Sequence, residues 1–134
     1  MGTRGRKSAN SLAVISNVVA IPRPAPPDEL SDEGAEEWRH QVNRMPAGYF
    51  GREVFPTLIQ LCRHVVAARR VAQLIEHATE GQELDVGDYL ELLKAQERES
   101  KAIIALSRTM RLTHQANVNA KQSRKPPAIE RPWD

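Results

Sequence analysis

The sequence predicts an all-α protein: a long antiparallel helical hairpin, a short helix before it, and flexible basic tails at both ends. Three observations carry this. Val54, Leu58, Leu61, Val65, Ala68, Ala72 and Ile75 follow one another at spacings of 4, 3, 4, 3, 4 and 3, a sustained heptad seam. A second amphipathic stretch of matching length follows it after a short turn centred on Gly81. The composition is 40% apolar but only 4% aromatic, so Ala, Val, Leu and Ile must build the core, which favours helices over sheet.

A chain of 134 residues is one domain with tails. Residues 1–27 read as a flexible basic arm and proline-rich spacer, 28–115 as a helical oligomerisation domain, and 116–134 as a basic flexible tail. The arm carries Arg4, Arg6 and Lys7 between glycines. It precedes "LAVISNVVAI" (12–21), an arrangement that mimics an export signal. Ser16 and Asn17 interrupt that run, and "PRPAPP" stands where a small-residue cleavage site belongs, so no export signal is assigned. Residues 12–21 are instead expected to dock as a short extended segment, and the prolines to form a stiff polyproline-like spacer. No apolar run approaches the ~20 residues that span a bilayer.

The first helix is expected after Ser31, a good N-cap, with Asp32, Glu33, Glu36 and Glu37 favouring the positive end of the helix dipole. Trp38 and Val42 supply its apolar contacts, and Pro46 and Gly48 end it. The second begins near Glu53, tolerates Pro56 in its first turn and runs to about Thr79. Asp85 caps the third, which carries Tyr89, Leu92, Leu93, Ile103, Leu106 and Met110 and is expected to reach about Leu112. Folding the second rod on the third sets Val54 opposite Met110, Leu58 opposite Leu106, Leu61 opposite Ile103, and Val71 and Ala72 opposite Leu92 and Leu93. Between these pairs "QERESK" lies beside "RHVVAARR", so Arg63, Arg69 and Arg70 are expected to pair with Glu97 and Glu99. The alternative is a polar band that faces another subunit or a channel.

The residues offer no catalytic constellation. There is no phosphate loop with a following Lys-Ser/Thr, no histidine pair at helical spacing, and no zinc spacing around Cys62 and His64. Cys62 flanks the seam and reads as a buried, inert thiol, and its being the only cysteine excludes an internal disulfide. His64 and His77 read as surface residues. The acids at 32–37 are explained by the dipole, so no metal and no cofactor is assigned. The pattern points away from an enzyme.

Charge is more telling by position than in total. The net charge is only +2. Residues 1–27 hold four cations and no acid, 28–50 are strongly acidic, and the tail adds Lys121, Arg124 and Lys125. Basic arms on a helical hairpin can neutralise nucleic-acid phosphates without fixed geometry. The candidate DNA contacts are Arg4, Arg6, Lys7, Lys121, Arg124 and Lys125, then Arg63, Arg69 and Arg70. About 80 residues are expected to be structured, which is marginal for a lone domain. Ile59, Val66, Leu74, Leu90 and Ile104 lie off the seam and would stay exposed in a monomer, so an oligomer is expected. Trp38, Val54, Leu58, Leu61, Val65, Ile103, Leu106 and Met110 are its core and oligomer residues.

A "GRK" start, a proline-rich spacer, "LSDEGAEEWRHQV" with its Trp38, a long hairpin and then "RLTHQAN" occur in an order that resembles the small terminase subunit of tailed double-stranded-DNA bacteriophages. The resemblance covers nearly the whole chain, and "DEGAEEW" and "MRLTHQA" carry most of it. The chain departs from the pattern at His114, where Pro is expected. The resemblance implies a non-enzymatic homo-oligomeric ring of about 8–11 subunits. Such a ring binds double-stranded viral DNA for genome packaging in the cytoplasm of the infected bacterial host. It passes that DNA to the large terminase subunit, whose ATPase and nuclease it regulates. The competing classes are a dimeric helical DNA-binding regulator or nucleoid-type protein, and a helical adaptor with no affinity for DNA.

Overall fold

The computed structural model describes residues 21–81 and 83–114, and among these every regular element is helical. Helix α1 spans Asp32–Arg44, α2 spans Phe55–Glu80 and α3 spans Val86–Thr109, with a 3-10 turn at Arg52–Val54 leading into α2. The arm before Ile21 and the tail after His114, and with them the expected docking of 12–20, lie outside the described residues.

The N-caps are the ones the sequence predicts. The Ser31 hydroxyl accepts from the Gly34 N–H at 3.2 Å, and the Asp85 carboxylate accepts from the Asp88 N–H at 3.1 Å. Pro56 falls in the first turn of α2, where its missing N–H is one of the unbonded groups anyway. At 26 residues α2 is about 40 Å long, and α3 returns along it.

The seam forms as expected. Leu58 and Leu61 are fully buried, and Val54, Val65, Ile103 and Leu106 pack on the cluster they form with Met110. A contact between His64 Nδ1 and Glu99 Oε2, 2.6 Å apart, falls in line with the expected register. It also corrects the reading of His64 as a surface residue, since the ring is half-buried between the rods.

The first helix does more than the sequence suggested. Trp38 is completely buried and meets Phe55 edge-on, with ring centroids 5.2 Å apart. Ile59, Cys62 and Val66 form a second apolar row on α2. Leu30 and Gly34 line a groove together with Val66, so this row is the one that α1 covers. Ile59 and Val66 are therefore buried within a single chain, contrary to the expectation that they need another copy.

The proline-rich segment is no free spacer. It runs along α1, where the Trp38 indole N–H donates to the Pro24 carbonyl at 3.0 Å. Arg23 closes the far end of the helix: Nε donates to the Val42 carbonyl at 3.1 Å and Nη2 to the Met45 carbonyl at 3.2 Å. Those carbonyls are among the acceptors that a helix end leaves without partners. The chain then turns at Pro46–Tyr49, with the Tyr49 N–H bonded to the Pro46 carbonyl and Gly48 at φ 80°, the positive value that a type II turn places at its third residue.

Helix α3 ends three residues before the expected Leu112. The Leu112 N–H returns to the Ser107 carbonyl at 2.8 Å and the Arg111 N–H to the Arg108 carbonyl at 3.0 Å, a Schellman closure. Arg111 occupies the left-handed position at φ 55°, the position usually held by Gly. Leu112 turns into the core, and His114 is again helical.

Candidate nucleic-acid interface

Two sets of cations compete for the role of nucleic-acid contact, one at the waist of the hairpin and one at the end where the chain enters and leaves. Of the predicted contacts, Arg4, Arg6, Lys7, Lys121, Arg124 and Lys125 lie outside the described residues.

At the waist the expected pairing of Arg63, Arg69 and Arg70 with Glu97 and Glu99 does not form. Arg63 Nη2 reaches Glu29 Oε2 at 3.2 Å, and Arg69 Nη2 reaches Glu37 Oε2 at 2.7 Å. Glu99 pairs with His64, and Glu97 with Lys101 at 2.8 Å. Docking α1 on α2 brings Glu29 and Glu37 within reach of arginines that point away from α3.

Glu37 is only 6% exposed, and its second oxygen accepts from Gln41 Nε2 at 2.7 Å, so Arg69 neutralises a buried carboxylate. Arg70 lines the groove with Leu30, Gly34 and Val66 and has no ion-pair partner among the described residues. Arg69 thus ties α1 to α2, whereas the Arg63–Glu29 pair lies at the surface with both side chains about half exposed.

Beside this cluster sits Cys62, fully buried. Burial first, and then the nearby Glu37 charge, push its thiol from 9.0 up to about 12, so it stays protonated and unreactive. On the outer face of α3, hydrogen bonds from Lys94 and Lys101 hold the Glu91 and Glu97 carboxyls below their usual range.

The other end of the hairpin holds cations of a different kind. Arg52 enters α2, and Arg108 and Arg111 leave α3; all three are exposed, and none has a carboxylate partner among the described residues. Two contacts across long stretches of sequence fix this end. The Tyr49 hydroxyl donates to the Met110 carbonyl at 2.7 Å, and Arg44 Nη2 donates to the Leu112 carbonyl at 2.8 Å. Phe50 and Met110 are buried in one cluster beneath them. Ile21 lies beside Gly48 at this same end. Ile21 and His114, where the described residues begin and end, therefore lie at the same end.

Sequence reasoning passed over Arg52, which has no basic neighbour to mark it, and Arg108, whose one basic neighbour is Arg111. Arg111 did fall within "MRLTHQA", but as part of a pattern rather than as a contact.

Among the described residues no helix is long and apolar enough to cross a membrane, and no three His, Cys, Asp or Glu side chains are grouped to hold a metal. Compared with known proteins, the chain matches no family model, no curated protein and no solved structure.

Proposed function

We propose that this chain is a small terminase subunit of a tailed double-stranded-DNA bacteriophage. In this reading identical copies form a ring in the cytoplasm of the infected bacterial host. The ring binds viral DNA for packaging and regulates the ATPase and nuclease of the large terminase subunit, while the chain itself catalyses nothing. The order of the "DEGAEEW" helix, the hairpin and the "MRLTHQA" exit supports the family.

The observation that carries the assembly is the uneven core. No residue of α3 is buried, and beyond the reach of α1 no described residue outside the hairpin packs on its two rods. Leu74, Leu90 and Ile104 remain 53%, 51% and 49% exposed. Leu90 and Ile104 are two heptads apart, so they stand on one stripe of α3. Neighbouring copies would cover what α1 leaves open, and a head-to-tail contact closes into a ring.

Native mass spectrometry of the purified protein, with and without duplex DNA, tests this. The expected result is a closed assembly of about 8–11 copies that gains mass with DNA. A dimer that binds DNA would favour the regulator class instead, and a species that ignores DNA at low salt the adaptor.

A further inference from the structure

We infer that the apolar groove between the start of α1 and the middle of α2 receives the α2–α3 turn of a second copy of this chain. The inference rests on the assembly part of the reading above and names the two surfaces that meet.

The groove is the receiving half. It has a volume of about 500 Å³, and its apolar lining comes from Leu30, Gly34, Val66, Ala67 and Val71. Its charged rim is Glu29, Arg63 and Arg70. Glu29 stands 3.2 Å from Arg63, so those two charges offset each other. Arg70 has no ion-pair partner among the described residues and leaves the groove with an excess positive charge. Leu74, one helical turn beyond Arg70, extends the apolar surface and is 53% exposed.

The turn is the inserted half. Leu84 and Val86 are 44% and 64% exposed, and Leu90, one helical turn after Val86, is 51% exposed. Among them stand Glu83, Asp85 and Asp88, all exposed, and the sequence holds no Lys or Arg between Arg70 and Lys94. The Asp85 carboxylate accepts from the Asp88 N–H at 3.1 Å, so this stretch is shaped by its own cap before any contact forms.

Charge decides which surfaces pair. Both apolar patches are open to water in the single chain, and contact between them removes both from it. Groove against groove would oppose two copies of Arg70, and turn against turn would oppose carboxylates. Groove against turn sets Arg70 beside Glu83 and Asp88. The turn cannot enter the groove of its own chain, because Ala67 lies about 20 Å along α2 from the end of that helix at Glu80. A contact between two different patches runs head-to-tail from copy to copy, as a ring requires.

The test uses the full chain. The proteins are wild type, Arg70→Glu, Glu83→Lys, these two reversals together, Ala67→Cys, Val86→Cys, and Ala67→Cys with Val86→Cys. Native mass spectrometry over a dilution series follows the charge variants. Each single reversal is expected to raise the concentration at which the assembly falls apart by about tenfold, and the pair together to restore it to within about twofold of wild type. A short bis-maleimide follows the cysteine variants, since the buried Cys62 does not compete for it. The double-cysteine protein is expected to give a ladder of linked copies, and each single-cysteine protein none.

A wild-type assembly that neither reversal weakens, with no link between positions 67 and 86, overturns the contact and leaves the ring reading standing. Links in Ala67→Cys alone also overturn it, because they pair groove with groove about a two-fold axis. So does rapid labelling of Ala67→Cys by a bulky maleimide within an intact assembly, which leaves the groove open to a different partner. A wild type that stays a single copy overturns the contact and the assembly reading together.

Discussion

Cys62 shows how much a single residue's fate depends on its surroundings. Its place beside the seam marks it as buried, but nothing local reveals the Glu37 carboxylate that stands near it. Burial pushes its thiol from the ordinary 9.0 up to about 12, so the folded state holds a proton that the unfolded chain gives up earlier. That contribution to stability is fully present below pH 9 and is lost as pH climbs towards 12, at up to about 1.4 kcal/mol per unit. A Cys62→Ala variant is expected to lose this component of alkaline unfolding, so that urea titrations at pH 8 and pH 10.5 differ less than they do for wild type. The native thiol should also resist a disulfide reagent at pH 8 and react once denatured. Fast labelling of the folded protein would contradict its burial.

At the scale of the element, α2 serves two neighbours at once. Val54, Leu58, Leu61 and Val65 belong to the seam packed with Ile103, Leu106 and Met110, while Ile59, Cys62 and Val66 form a second buried row whose Val66 lines a groove with Leu30 and Gly34. The periodicity exposed the first row because it repeats over the whole helix. The second row occupies only the half that α1 covers, and farther along Leu74 is exposed. Val66→Ala is accordingly expected to cost about 2 kcal/mol of stability, and Leu74→Ala less than about 0.5 kcal/mol in the isolated subunit. Chemical denaturation of both variants, under conditions that keep the subunits apart, checks the contrast. Equal losses would mean that α1 does not cover α2 as described.

The whole molecule is packed at one end and thin at the other. The buried cluster gathers Trp38, Val42, Phe50, Leu58, Leu61, Met110 and Leu112 around α1 and the mouth of the hairpin, while the α2–α3 turn end has only half-buried side chains such as Ile75, Tyr89 and Leu92. A polar substitution at the exposed stripe, Leu90→Ser with Ile104→Ser, should therefore leave the subunit folded by circular dichroism and reduce the mass of its assembly in light scattering. An assembly of unchanged mass would place the subunit contact elsewhere. Most of the hairpin was legible in advance, including the Ser31 and Asp85 caps, and the His64–Glu99 contact falls in line with the expected register. The candidate site was legible only in part: Arg63 and Arg69 were singled out as cations, yet their acidic partners come from Glu29 and Glu37, 34 and 32 residues away in sequence.

By itself the sequence determined where helices run, how they begin and which faces of the two rods meet, because heptad spacing and a capping hydroxyl or carboxylate act within a turn or two of chain. Only the tertiary structure decided where α3 stops and which arginines keep their charge for a partner. "SRTMRLT" contains no Gly or Pro to end a helix. The Leu112 and Arg111 N–H groups take up the Ser107 and Arg108 carbonyls of the last turn, the Tyr49 hydroxyl and the Arg44 guanidinium hold the exit through the Met110 and Leu112 carbonyls, and Leu112 finds a place in the core, so the stop depends on chain that lies some sixty residues earlier.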